Sequence, residues 1–268
     1  MMKCSSARLA ASVGLAAVCC GVPSAWAQTA PPLGAAASFA VLASSTVTNT
    51  GASVITGDLG VRPGTSVVGF PPGIVVGTIH PGNAVALAAQ TSVGAAWDNL
   101  SSQACTQDLT GQNLGGLTLT PGVYCFSSSA PLVGTLTLNA QGNPAAVFIF
   151  KIGSTLITAS GSSVLVTNGG SVCNAFWQVG SSATLGTTSN FAGNLLAAAS
   201  ITLTTGASVL GRALARTGAV TLDSNNVSNA ACSVPVPALP GPFVIVLALA
   251  LLGAVYLALR RRAVIQTA

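Results

Sequence analysis

The run Thr50-Gly51-Ala52-Ser53-Val54 returns unchanged as Thr205-Gly206-Ala207-Ser208-Val209, and looser copies stand at 63–67, 160–164 and 187–191. A hydroxyl or amide residue, two small residues, a second hydroxyl or amide and an apolar residue suit a short strand or corner used many times over. Stacking such units at roughly 4.8 Å would align Thr, Ser and Asn in rows on one surface. The copies at Ser160, Thr187 and Thr205 follow one another at 27 and 18 residues, intervals that favour the coils of a solenoid over a sandwich.

The rest of the chain agrees with short stacked strands. From 33 to 79, β-type pieces at 39–42, 54–55, 67–68 and 74–76 alternate with Gly, Pro and Asn. Pieces this short cannot stand alone. After Pro81-Gly82 the pattern changes: Asn83 is a good N-cap, and Ala86, Ala89, Val93, Ala96, Trp97, Leu100 and Ala104 keep helical spacing, which predicts one helix over about 83–104. Its mostly alanine stripe can lie close against a flat sheet, with Trp97 as the large anchor in the core. From 114 onward strand-like pieces resume, among them 117–120, 123–126, 147–150, 176–179, 201–203 and 220–222.

Both ends read as targeting segments. Lys3 and Arg8, the apolar stretch 9–22 and Ala25-Trp26-Ala27 form a secretory leader over 1–27, cleaved before Gln28. Cys19 and Cys20 do not make a lipidation site, because Val18 and Cys19 are not the small residues expected before a lipidated cysteine. At the other end a proline-rich linker, 233–242, precedes a tail over 243–262, in which an uncharged run from Phe243 to Leu259 is followed by Arg260-Arg261-Arg262. Those 17 residues span about 25 Å as a helix, the short end of what crosses a hydrocarbon core, and the arginines would leave the body outside. The pattern is similar to the carboxyl-terminal sorting signals of Gram-negative bacteria, read by a membrane transpeptidase or protease, and it also fits a plain membrane anchor. Export to the cell surface or the medium is the expectation.

Removing the ends changes the charge. Of 9 Lys and Arg, five lie in the two ends, leaving Arg62, Lys151, Arg212 and Arg216 against Asp58, Asp98, Asp108 and Asp223, a balance of zero. A nucleic-acid partner therefore loses the clustered cations that phosphate binding needs. The body, 28–232, is long enough for one domain with a real core. Cys105, Cys125, Cys173 and Cys232 remain in it and suggest two disulfides in an exported chain. Three pairings are possible; proximity favours Cys105 with Cys125 and Cys173 with Cys232, and buried free thiols are the alternative.

Six separated runs carry a family resemblance: FAVLA (39–43), GDLGV (57–61), GGLTLTPGVY (115–124), AVFIFKIGSTL (146–156), FWQVGSSATL (176–185) and GRALARTGAVTL (211–222). Together, in this order, they resemble the microbial ice-binding protein family from about 33 to 232. The resemblance implies a mainly β fold, a right-handed discontinuous β-solenoid of triangular section with one long α-helix packed alongside. It also implies that the amino-terminal part fills in coils beside the carboxyl-terminal part, which makes Thr50 and Thr205 neighbours. Activity in the family is adsorption to ice, which limits crystal growth and recrystallisation, in some members through a Thr-Ala/Gly-x-Thr/Asn pattern on one face. Carried onto this chain, the ice-binding candidates are Thr50, Ser53, Thr65, Ser160, Ser163, Thr187, Asn190, Thr205 and Ser208. Serine stands at several places where the pattern has threonine, which keeps the hydroxyl and loses the methyl group.

Ice is an uncharged periodic array of water, so a receptor for it needs flatness, regular spacing and groups that order water without competing strongly for it. No charged residue falls within the repeated phrases. The same phrases also suit solenoid corners, where glycine supplies positive φ. Catalysis finds little to work with: one histidine, His80, and four scattered aspartates offer no paired carboxylates and no base beside a nucleophile. Asp58 and Asp223 read as turn or cap residues. Arg212 and Arg216 read as structural, holding a terminal coil to Asp223 or to carbonyl groups. No metal set and no cofactor motif is present, since His80 has no close His, Asp or Glu in the sequence. A cell-surface adhesin or structural solenoid without ice activity is the second functional reading.

Overall fold

The computed structural model describes residues 28–232; the expected leader, linker and tail lie outside them. Among the described residues no helix is long and apolar enough to cross a membrane. The chain enters through a 3-10 turn, Gly34–Ser38, and lays down two coils. β1 (Phe39–Ala43), β2 (Thr46–Thr50) and β3 (Val54–Thr56) form the first, β4 (Asp58–Val61), β5 (Ser66–Val68) and β6 (Ile74–Val76) the second, and β7 (Ile79–Pro81) begins a further turn. Helix α1 (Ala84–Ser102) then runs along the stack, touching β7 and β1 as well as the distant β13 and β16. At the far end come β8 (Gln107–Asp108) and β9 (Thr118–Leu119), then β10 (Gly122–Phe126), β11 (Ala130–Leu132), β12 (Thr135–Asn139), β13 (Phe148–Ile152), β14 (Leu156–Thr158) and β15 (Ser163–Thr167). The last coils hold β16 (Ala175–Val179), β17 (Ala183–Leu185), β18 (Asn190–Ala197), β19 (Ile201–Leu203), β20 (Ser208–Ala215), β21 (Val220–Asp223) and β22 (Asn226–Ser228).

Stack order differs from chain order. β20 pairs with β1, β21 with β2 and β22 with β3, all in parallel, so the first coil of the chain is seated on the last. This is the discontinuous solenoid that the resemblance implies. Three faces result. One carries β8, β10, β13, β16, the second halves of β18 and β20, β1, β4 and β7, and α1 covers it. The second is a seven-stranded sheet in the order β11-β14-β17-β19-β21-β2-β5. The third holds β9, β12, β15, the first halves of β18 and β20, β22, β3 and β6. Because β18 and β20 run 8 residues without a break, they carry straight through from the third face onto the helix-covered one.

Alternation within each strand sends Val, Leu, Ile and Phe inward, where stacking removes them from water. Tyr124, Phe150, Trp177 and Phe191 form a continuous inner pile with ring centroids 5.5, 3.8 and 4.8 Å apart in succession. Burying each large apolar side chain stabilises the fold by roughly 1.5–3 kcal/mol. A second cluster joins α1 to its face: Ala86, Ala89, Val93, Ala96 and Leu100 are buried against Leu42, Val123, Ile149, Phe176, Leu196 and Leu214. Small alanines let the helix approach the sheet closely. Asn83 caps it as expected, its Oδ1 accepting the Ala86 amide at 3.0 Å.

Two helix expectations are corrected. α1 stops at Ser102, short of 104, because Lys151 Nζ takes the Ser101 and Gln103 carbonyls at 2.8 and 2.7 Å and Cys105 turns away to join Cys125. Trp97 is only half-buried, at the rim of the helix with the Arg216 guanidinium 4.8 Å from its ring centre, and the large fully buried indole is Trp177 instead. The disulfides are Cys105–Cys125 and Cys173–Cys232, closing loops of 20 and 59 residues. Loops of those lengths correspond to about 3 and about 4 kcal/mol of unfolded-state entropy in the chain-entropy treatment.

Arg212 stitches the seam between the last coil and the first. Only 3% exposed, it donates from Nη1 to Asn194 Oδ1 at 2.7 Å and from Nη2 and Nε to the Ala37 carbonyl at 2.6 and 3.2 Å. Asn229 Nδ2 reaches the neighbouring Ser38 carbonyl at 2.8 Å. Burial alone pulls the guanidinium down to about 10, which leaves it charged at neutral pH. The expectation of a structural arginine on carbonyl groups holds for Arg212, whereas Asp223 is partner to neither arginine.

Candidate functional site

With one face covered by α1, two open faces remain, and they differ in what they turn outward. On the seven-stranded sheet the register runs without a shift: Pro131 stands opposite Ile157, then Thr184, Thr202, Thr221, Thr48 and Val68. Four consecutive coils thus place threonine at the same outward position. Each is held there by buried neighbours on both sides, Ala183 and Leu185, Ile201 and Leu203, Val220 and Leu222, Val47 and Asn49. At the inter-strand repeat the column is about 14 Å long. Thr48 Oγ1 lies 3.5 Å from Thr221 Oγ1, so the hydroxyls are in register as well as the backbones. β-branching restricts χ1, which keeps every hydroxyl and methyl on this flat surface in a limited set of positions.

A second outward row lies nearer the edge of the same sheet, where Thr50 stands opposite Asp223, and Thr204 completes the row because Thr202 faces Thr221. Asp223 is the one charged residue of this sheet. Its Oδ2 accepts the Thr205 hydroxyl and its Oδ1 the Ser224 hydroxyl, the latter at 3.3 Å.

The third face is mixed. Its outward row runs Thr135, Ser163, Asn190, Ser208, Asn226, Val54, Ile74. Ser208 Oγ donates to Asn190 Oδ1 at 2.8 Å, and the Thr135 and Ser163 hydroxyls are 2.9 Å apart. Beside this polar row stand Leu165, Leu210 and Val76, 50%, 44% and 58% exposed. β15 and β18 pair only at Ser163 and Asn190, and a groove of about 460 Å³ opens where they part. The face is therefore neither uniform nor flat.

The nine residues expected from the repeated phrases separate among four places. Ser163, Asn190 and Ser208 lie in the row just described. Ser160, Thr187, Thr205 and Thr50 are exposed along the ridge between the two open faces. Thr65 is exposed on a different ridge, between β4 and β5. Ser53 is corrected outright as a surface residue: it is fully buried, and its Oγ accepts the Asn225 amide at 2.8 Å.

The reason is a slip of one position between the two strongest copies. Thr50 is the last residue of β2, whereas Thr205 lies past the end of β19, one place further into its turn. Positive φ falls accordingly on Gly51 (76°), the first residue of one turn, and on Gly206 (70°), the second of the other. Since Val54 and Ser208 both align with Asn226, Ser53 takes the interior place that Ala207 holds two coils away. Thr50 and Thr205 are not adjacent either, because the turn through Asp223 and Ser224 stands between them. In the copies that start at Ser160, Thr187 and Thr205 the first residue thus stands at a corner and the fourth lies in the outward row of the third face.

Sequence reasoning missed the threonine column. A signal was present: one apolar-Thr-apolar triplet per coil at 183–185, 201–203 and 220–222, and the alternation at 46–50. Elsewhere, His80 Nε2 is 3.9 Å from Asp58 Oδ2, a contact the sequence spacing did not suggest, and His80 Nδ1 is 3.0 Å from Asn83 Nδ2. Asp58 Oδ1 also accepts the Thr78 amide at 2.9 Å, as a turn residue does. Among the described residues no three His, Cys, Asp or Glu side chains gather as a metal site would require.

Comparison with known proteins places this geometry. Residues 41–228 match the Ice-binding-like family model. An ice-binding protein of Nostoc sp. (strain HG1) is 59% identical over 204 residues, covering 76% of each chain. The crystal structure of an ice binding protein from an Antarctic biological consortium superposes with a TM-score of 0.73 at 48% identity, covering 75% of this chain and 91% of that one. That of the Antarctic ascomycete Antarctomyces psychrotrophicus gives 0.73 at 44% identity, covering 75% and 98%. A β-solenoid of three faces with one flanking helix, matched over most of its length by sequence and by structure, makes this chain a member of the ice-binding-like family.

Proposed function

We propose that the protein adsorbs to ice through the seven-stranded sheet and so limits ice growth and recrystallisation. The observation that carries the reading is the column Thr184, Thr202, Thr221, Thr48, one threonine per coil on an unbroken parallel ladder. Each hydroxyl can anchor a water while the adjacent methyl group discourages disorderly hydration. Single contacts of this kind are weak, and the sum grows with the area held in register. Relatives named as ice-binding proteins support the activity.

Two disulfides fit an oxidising, extracellular setting. Export by the 1–27 leader, and retention or processing at a membrane through the 243–262 tail, complete the proposal on the strength of the sequence.

The test is Thr202→Tyr in the purified protein, read by thermal hysteresis and by recrystallisation inhibition. Thr202 points outward from the middle of the column, so the change should alter stability by no more than about 0.5 kcal/mol. Activity should disappear, because a phenol ring standing above the sheet holds the neighbouring threonines off a flat crystal plane. Full activity with an unchanged melting temperature would remove the sheet from consideration.

A further inference from the structure

The two open faces carry a single formal charge between them, the Asp223 carboxylate, and it stands inside the threonine sheet. Its row would otherwise read Thr204, Thr, Thr50. The backbone there does not depend on the carboxylate: the Asp223 amide donates to Asn225 Oδ1 at 2.6 Å, and Thr50 Oγ1 donates to the Leu222 carbonyl at 3.3 Å. The carboxylate touches only the hydroxyls of Thr205 and Ser224, both exposed. What the charge governs, then, is how the surface presents itself to water.

We propose that Asp223 bounds the ice-adsorbing patch, its carboxylate interrupting the second row that a neutral side chain able to donate and accept would complete. The proposal rests on the sheet being the adsorbing face. An ionised carboxylate is acceptor-only. It draws the Thr205 and Ser224 protons toward itself, so both hydroxyls turn only lone pairs outward, and it binds further water by charge-assisted hydrogen bonds about twice as strong as neutral ones. Waters held in that way all point protons at one spot. A lattice of water alternates donors and acceptors, as a threonine hydroxyl can, and so can an amide.

Among the described residues no other titratable group faces this position. β19, β2, β1 and β22, which surround β21, carry no charged residue, Arg212 on β20 is turned to Ala37 and Asn194, and Arg216 lies against Trp97.

The experiment compares the thermal hysteresis of the purified protein with that of Asp223→Asn and Asp223→Thr at one neutral pH. Circular-dichroism melting of each confirms the fold. Both variants should show higher hysteresis than the parent. Folded variants that match the parent or fall below it would overturn the role of Asp223. Thr202→Tyr, run alongside, separates the premise from the proposal: its inactivity with an Asp223→Asn no more active than the parent defeats only the latter, whereas its full activity defeats the choice of face and the proposal with it.

Discussion

Replacing Arg212 by methionine and by alanine should give different outcomes, and the difference can be worked from the contacts at the seam. Losing the guanidinium leaves Asn194 Oδ1 without its donor in a residue that is 0% exposed, a cost of about 1–3 kcal/mol. The Ala37 carbonyl keeps only a long contact with Asn229 Nδ2 at 3.4 Å, which adds about 1 kcal/mol. Against these stands the burial of the charge. Its fall from the ordinary arginine range to about 10 is worth about 3 kcal/mol at about 1.4 kcal/mol per pH unit, and a neutral side chain recovers it. The opposing contributions nearly cancel for methionine, which also fills the channel of the arginine stem. Alanine gives up that stem beyond Cβ as well, two methylenes at about 0.8 kcal/mol each plus a cavity, so it should be less stable than methionine by about 2–4 kcal/mol. In a body of this size that separates the two melting temperatures by about 5–15 °C. Calorimetry of Arg212→Met and Arg212→Ala at neutral pH is the assay. If Arg212→Met melts as low as Arg212→Ala, the charged hydrogen bonds outweigh the cost of burying the guanidinium and the accounting is wrong.

Two further outcomes are expected. Ser53→Ala removes the buried acceptor of the Asn225 amide and should cost about 1–3 kcal/mol in chemical denaturation, yet leave hysteresis unchanged, since Ser53 never meets the surface. A loss of activity at unchanged stability would restore the repeated phrase as a binding motif. Thr110→Ala should raise the Asp108 carboxyl toward the ordinary value in an NMR titration, because the Thr110 side chain, more than its amide, holds it down. With the folded value depressed, Asp108 contributes stability above the usual carboxylate range and loses it as pH falls through the folded value; in the variant that acid-side loss should shrink.

What the sequence made legible was whatever is local. Short strands, the Asn83 cap and the alanine stripe of α1 depend on neighbours a few residues away, and both disulfide pairings followed from proximity. The repeat intervals pointed to a solenoid, and its discontinuous order came from six runs that resemble a known family. The face did not come through, because register is a property of pairs. Thr184, Thr202 and Thr221 follow at 18 and 19 residues, but the fourth member of the column, Thr48, precedes them by more than a hundred. Only the seating of β2 on β21 puts it in line. Literal repetition misled for the same reason: a one-place shift of Thr50-Gly51-Ala52-Ser53 against the turn sends Ser53 inside and leaves Ser208 outside, with no letter changed.

The seating of the first coil on the last has a consequence for how the molecule comes to exist. A solenoid wound from end to end can fold progressively as it is made, each coil using the one before as its template. Here β1, β2 and β3 are made early, and the strands that template them arrive more than 160 residues later. Contacts of such sequence separation cost loop entropy and slow folding. Until Asn226–Ser228 has emerged, the amino-terminal coils expose on that side the unpaired edge of three parallel strands. The chain therefore commits to its fold only when nearly all of it has been synthesised, and a truncation that removes only β21 and β22 strands the opening coils as surely as it shortens the closing ones.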